Sequence, residues 1–119
     1  MIQRASGQTA TQIAEQATAR GAHPHVLDGQ KVRTRQQFYA AIATALDFPE
    51  YFGKNLDALH DLLTDLDWLP GGDHVLIWSG HKALRGAEPD SYAALCEVLS
   101  DAADYTEHGR SFSVVLTEK

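Results

Sequence analysis

FPEYFGKNLDALHDLLTDLDWLPGGD, residues 48–73, is the stretch whose reading decides this chain. Leu56, Leu59, Leu63 and Leu66 recur at helical spacing with Leu62 beside them, which makes one face of a helix apolar. Asn55 stands before the first of them as an N-cap, and Pro70-Gly71-Gly72 ends the helix after about Leu66. Asp57, Asp61 and Asp65 fall four residues apart on the same helix, with no lysine or arginine between Asn55 and Asp73. Side chains at that spacing have Cβ atoms about 5–6 Å apart, and like charges there cost about 0.2–0.5 kcal/mol per pair. Full burial of one leucine contributes about 1.5–3 kcal/mol, so the helix forms in spite of the repulsion. Burial explains the helix but not its acids. The helix dipole favours Asp57 in the first turn, does little for Asp61, and works against Asp65 and Asp67.

Outward from this helix the chain alternates between helical and strand patterns. Residues 8–20 have helical composition, with Ile13 and Ala17 facing one way and Gly21 following as a C-cap. HVLDG, 25–29, reads as a short strand and turn. Thr34 caps a helix through Leu46, with Phe38, Ile42 and Leu46 as its apolar stripe. In the connector FPEYFGKN, Pro49 stops that helix and Gly53 is expected to permit a sharp bend. HVLIW, 74–78, is apolar almost throughout, as a strand covered on both faces would be. SGHKALRGAEPD reads as a polar loop, Ser91 as the cap of a helix to about Tyr105, and FSVVL, 112–116, as the last strand. Helices between consecutive strands predict an α/β fold: a three-stranded parallel sheet packed by helices, with an extra N-terminal helix, in one domain over 1–119.

The totals limit the function. A chain of 119 residues with 44% hydrophobic and 22% charged residues suits one globular domain. No apolar run is long enough for a membrane helix, and the N-terminus lacks the apolar core of a secretory signal. The lone Cys96 can form no intrachain disulfide and reads as a small core residue, so a cytoplasmic setting is expected. Residues 47–73 carry seven acids against Lys54 alone, a local charge of −6 that equals the whole chain's. Such a field repels phosphate and steers cationic partners, which disfavours direct nucleic-acid binding.

Enzyme readings find little support. Paired carboxylates serve glycosidases, but one helix face is not two opposed walls. His60 is adjacent to Asp61 and points about 100° away around the helix, so it does not join the aspartates around a metal. His23-Pro24-His25 is a weak hint of metal affinity, with a structural role the stronger reading. HExxH, Cys-rich, P-loop, GxGxxG and GxSxG patterns are all missing. Neither a cofactor nor a metal is expected.

The run PEYFGKNLDALHDLLTDL, with HVLIW and SYAALCEVLSDAADY…FSVVL, resembles the barstar family of ribonuclease inhibitors over roughly residues 25–116. Its most specific part is the aromatic–aromatic–Gly–x–Asn–x–Asp–Ala–Leu pattern from Tyr51 to Leu59. The resemblance implies a monomeric inhibitor that binds an extracellular, guanyl-preferring bacterial ribonuclease (barnase-like) one to one, filling its active site with acids that mimic RNA phosphates. Asp61 would be the principal mimic and Asp57 the second acid. Tyr51 would pack on a catalytic imidazole and Gly53 would allow close backbone approach. Asn55 and Thr64 would add polar contacts, and Asp101 an outlying acidic one. His60 and Leu66 stand where the family has tryptophans, and Asp65 where it has glycine, so the target may differ from the usual one. The helix over 8–20 looks like an addition to the shortest members and is expected on the sheet edge. The alternative is a non-inhibitory module that uses the acidic face for another basic protein.

Overall fold

The apolar HVLIW run becomes the centre of strand β3 (Gly72–Ser79), buried on both faces from His74 onward. The computed structural model describes residues 2–5, 7–105 and 109–118. β3 lies between β2 (His23–Asp28) and β4 (Arg110–Thr117), both parallel to it. A further strand, β1 (Ile2–Arg4), pairs in parallel with the outer edge of β4, giving the order β1-β4-β3-β2. The parallel sheet is as expected, but it has four strands and not three. The extra strand is a three-residue segment with no alternation of its own, held by its register Ile2↔Val114 to Arg4↔Leu116.

Five helices cover the sheet among the described residues: α1 (Ala10–Ala19), α2 (Arg35–Ala45), α3 (Leu56–Asp65), α4 (Lys82–Ala87) and α5 (Pro89–Ala103). The alternation along β3 divides them. Leu76 and Trp78 join the large core with Phe38, Ile42, Leu59, Leu63, Leu95 and Leu99 from α2, α3 and α5. Val75 and Ile77 point the other way and close a small core with Ile13, Ala17 and Ala22. α1 therefore lies across a sheet face, not on the edge as expected. Without it the apolar side chains of Val75 and Ile77 would face water.

Local signals explain most boundaries. Thr9 caps α1 through a capping box with Gln12, Thr34 accepts from Gln37 N–H at 3.1 Å, and Gly21 takes the left-handed conformation that follows α1. Two expectations fail. The supposed polar loop holds the short α4, whose N-cap His81 makes no side-chain cap hydrogen bond. α5 begins at Pro89, not after a Ser91 cap, because proline suits the first helical turn, where no N–H is needed. Glu88 at its start accepts the Arg35 N–H at 3.0 Å, which joins the beginnings of α5 and α2. Among the described residues no helix is long and apolar enough to cross a membrane.

Candidate functional site

Asn55 starts α3 by accepting the Ala58 N–H at 2.8 Å. The leucine face then fixes the helix's rotation: Leu59, Leu62 and Leu63 are buried, and Leu66 ends the helix as a buried, left-handed C-cap at φ 52°. This sets Asp57, Asp61 and Asp65 outward, all three exposed. Among the described residues none of the three is paired with a cation, and Asp47, Glu50, Asp67 and Asp73 of the same segment are exposed as well. The local charge is therefore surface charge.

The segment 47–55 leads back along α2 into this helix. Phe48 and Phe52 are its anchors. They meet edge to face at 4.9 Å, and Phe52 reaches Tyr39 of α2 at 5.9 Å. Tyr51 is left 74% exposed beside two buried rings. Gly53 is also exposed, but the left-handed residues are Asp47 (φ 54°) and Lys54 (φ 52°), so the bends expected of Gly53 fall on them. Lys54 and Arg35, with Tyr39, Asn55 and Asp57, line an open groove of about 600 Å³ between α2 and α3. The first acid thus shares a groove with two basic side chains, which Asp61 and Asp65 further along α3 do not line.

Two candidate polar residues are already engaged. The Asn55 side chain caps α3, and the Thr64 hydroxyl donates to the His60 carbonyl at 2.9 Å, with the Asp61 carbonyl at 3.1 Å. Thr64 and His60 are half-buried, and Leu66 is too deeply buried to stand in for a surface tryptophan. Asp101 is exposed on α5, the helix that packs against α3. Trp68 reaches back to donate to the Leu46 carbonyl at 2.9 Å and packs edge to face on Phe48 at 5.7 Å. Trp78 is fully buried in the core.

Two clusters of titratable side chains lie away from this face. Tyr92 O–H donates to His81 Nδ1 at 2.8 Å, and Glu118 lies 3.1 Å from His81 Nε2. Burial, with Cys96 beside it, pushes the Tyr92 phenol up to about 12. Burial also raises the Cys96 thiol, which makes it a poor nucleophile. His23, His25 and His74 gather at the other end of the sheet. Among the described residues no group of His, Cys, Asp or Glu is arranged to hold a metal ion.

A helix with exposed, unpaired carboxylates beside an exposed tyrosine on an anchored loop can bind a cationic surface. The family model described as "Barstar (barnase inhibitor)" matches residues 22–117, from the end of the α1–β2 turn to the end of β4. A protein of Bacillus subtilis (strain 168) named "Putative ribonuclease inhibitor YrdF" is 40% identical over 45 residues, which are 38% of this chain and 50% of that protein. The match spans about half the length of that relative.

Proposed function

This chain belongs to the barstar family, and from that premise we propose that it is an inhibitor that blocks a secreted microbial ribonuclease, one to one, with the acidic face of α3 and the loop before it. A ribonuclease cleft gathers Arg, Lys and His to hold phosphate and the charge of the transition state. Carboxylates on a fixed helix accept charge-assisted hydrogen bonds from such groups, often two at a time from arginine. The observation that carries the reading is the exposed, unpaired set Asp57, Asp61 and Asp65 within the family-matched segment. Asp61 takes the central place as phosphate mimic, and Asp57 the second. Tyr51 offers a ring to an active-site imidazole, Gly53 allows close approach of the loop, and Asn55 acts by holding α3. Asp65, His60, Thr64 and Asp101 complete the contact surface. Complexes of this family are the standard examples of interface hot spots and electrostatic steering, so those magnitudes are adopted from them.

The test is calorimetric titration against small guanyl-preferring bacterial ribonucleases, with RNA cleavage followed in parallel. Binding at one to one with loss of cleavage is the expected result. No inhibition of any tested enzyme at micromolar excess would overturn the proposal.

The family-tryptophan positions His60 and Leu66 favour a second reading, a non-inhibitory module for another basic protein. Half-buried His60 and buried Leu66 leave the face more acidic and less aromatic. A pull-down that returns one non-ribonuclease partner and ignores ribonucleases would select it.

A further inference from the structure

Three histidines that the acidic face does not use meet on the side of the sheet that carries α3. His74 is fully buried, with the His23 ring stacked at 4.8 Å and the His25 ring at 5.2 Å. His74 Nε2 lies 2.7 Å from the Pro70 carbonyl oxygen, and His23 Nε2 3.2 Å from that of Gly71. Arg110 Nε donates to the Leu69 carbonyl at 3.0 Å. Three successive carbonyls of the turn that leaves α3 are each held by a basic side chain.

A carbonyl only accepts, so His74 carries a proton on Nε2 and His23 one on Nε2. His25 Nε2 lies 2.9 Å from His74 Nδ1, and a hydrogen bond with the Ala45 backbone favours the charged form of His25, as a carbonyl acceptor does. Ala45, His25, His74 and Pro70 thus form a chain of three links with an acceptor at each end. The neutral pair of rings has protons for two of the links. One added proton completes all three, with the N–H of one ring pointing at the lone pair of the other. A second added proton sets N–H against N–H across the 2.9 Å gap, with His23 stacked beside it.

We propose that His23, His25 and His74 form an acid-operated latch that holds the 69–72 turn to the sheet, tolerates one proton and opens on the second. Its opening frees the C-terminal end of α3 from β2 and β3, while the Asn55 cap and the leucine face stay in place. The surroundings set the direction of the response. Burial is the largest influence on His25 and His74 and lowers both, and their neighbouring histidines lower them further. Arg110 from β4 also opposes charge on His74; Asp73 and the Pro70 carbonyl favour it. The latch concerns the fold and does not depend on which partner α3 binds.

The full chain, isotope-labelled, is followed by NMR from pH 7.5 to 4, reading the imidazole shifts and amide exchange together. His25 and His74 should titrate as a coupled pair in two separate steps. Exchange at the Gly72 amide, which donates to the Gly109 carbonyl at 2.9 Å, should rise with the second step while the amides of Leu59–Leu63 stay protected. In His25→Gln the side-chain amide oxygen can accept from a protonated His74 and no second proton can enter the pair, so opening should move at least about one pH unit lower, a roughly tenfold or greater rise in the proton concentration required. Independent one-step titrations would overturn the latch, as would Gly72 exchange that ignores pH or a His25→Gln opening at the wild-type pH. Exchange of Leu59–Leu63 together with Gly72 would reduce it to ordinary acid unfolding and overturn it equally. Should His25→Gln fail to fold, the wild-type titration decides alone.

Discussion

Trp68 Nε1 donates to the carbonyl of Leu46, 22 positions earlier, at 2.9 Å. That bond joins the exit of α3 to the end of α2, so the loop that presents Tyr51 is fastened at both ends. Leu46 is fully buried, and removing the donor leaves its carbonyl without a partner, at a cost of about 1–3 kcal/mol. Trp68→Phe should therefore lower the urea midpoint at an unchanged slope while keeping an aromatic contact with Phe48. Binding through Tyr51 should weaken too, because a loosened loop must be ordered on association.

Asp61 and Glu97 are both exposed, one on α3 and one on α5. Asp61→Asn should cost about 2 kcal/mol or more of binding free energy to the ribonuclease, as hot-spot residues do, and Glu97→Gln under about 0.5 kcal/mol. Calorimetry on the two variants compares them directly, and equal losses would remove Asp61 from its assigned place. Association should also slow as salt rises past the ~8 Å Debye length of physiological ionic strength.

Stability should fall on the acid side. His25, His74 and His81 are all lowered from their ordinary value of 6.5, with burial the largest cause in each. Below pH 6.5 the unfolded chain takes up protons that the folded chain resists, so stability is full above that value and is lost as pH falls. Each such group gives a slope of about 1.4 kcal/mol per pH unit until its folded form titrates. Urea unfolding at pH 7.5, 6 and 5 should show a steady fall, and a midpoint constant over that range would refute the account.

Lys54 holds a left-handed backbone at φ 52°. That conformation costs a side-chain-bearing residue about 1–2 kcal/mol, while glycine gives back about 0.5–1 kcal/mol through its freer unfolded chain. Lys54→Gly should thus raise stability by up to about 1 kcal/mol, measured by thermal unfolding. It also removes the one lysine of the 47–73 segment, so association with a cationic partner should speed up at low salt.

What could be read from the sequence followed the strength of local signals. The leucine period of α3, its Asn55 cap and the two-sided burial of β3 all have periods or caps that short windows reveal, and they set Asp57, Asp61 and Asp65 outward. β1 has three residues and a partner at the far end of the chain, so no window contains its cause. α4 is six residues long and includes Gly86, which hides a helix inside a polar run. At the start of α5, Ser91 looks like a cap, whereas Pro89 supplies the actual signal. At the candidate site, the exposure of Tyr51 follows from burial of its neighbour Phe52. The engagement of Thr64 by its own helix, the bends at Asp47 and Lys54 and the Trp68 tie depend on three-dimensional proximity, which residue spacing does not encode.

The pairing of Ile2 with Val114 spans 112 positions. Closing so long a loop is slow, and folding rates fall as the sequence separation of contacts grows. β2, β3 and β4 can assemble in chain order, each beside its predecessor, whereas β1 must wait for β4 before it has an edge to join. The segment that leaves the ribosome before the others is thus the last to be housed. Weakening it should act mainly by hastening unfolding and leave the rate of folding almost untouched.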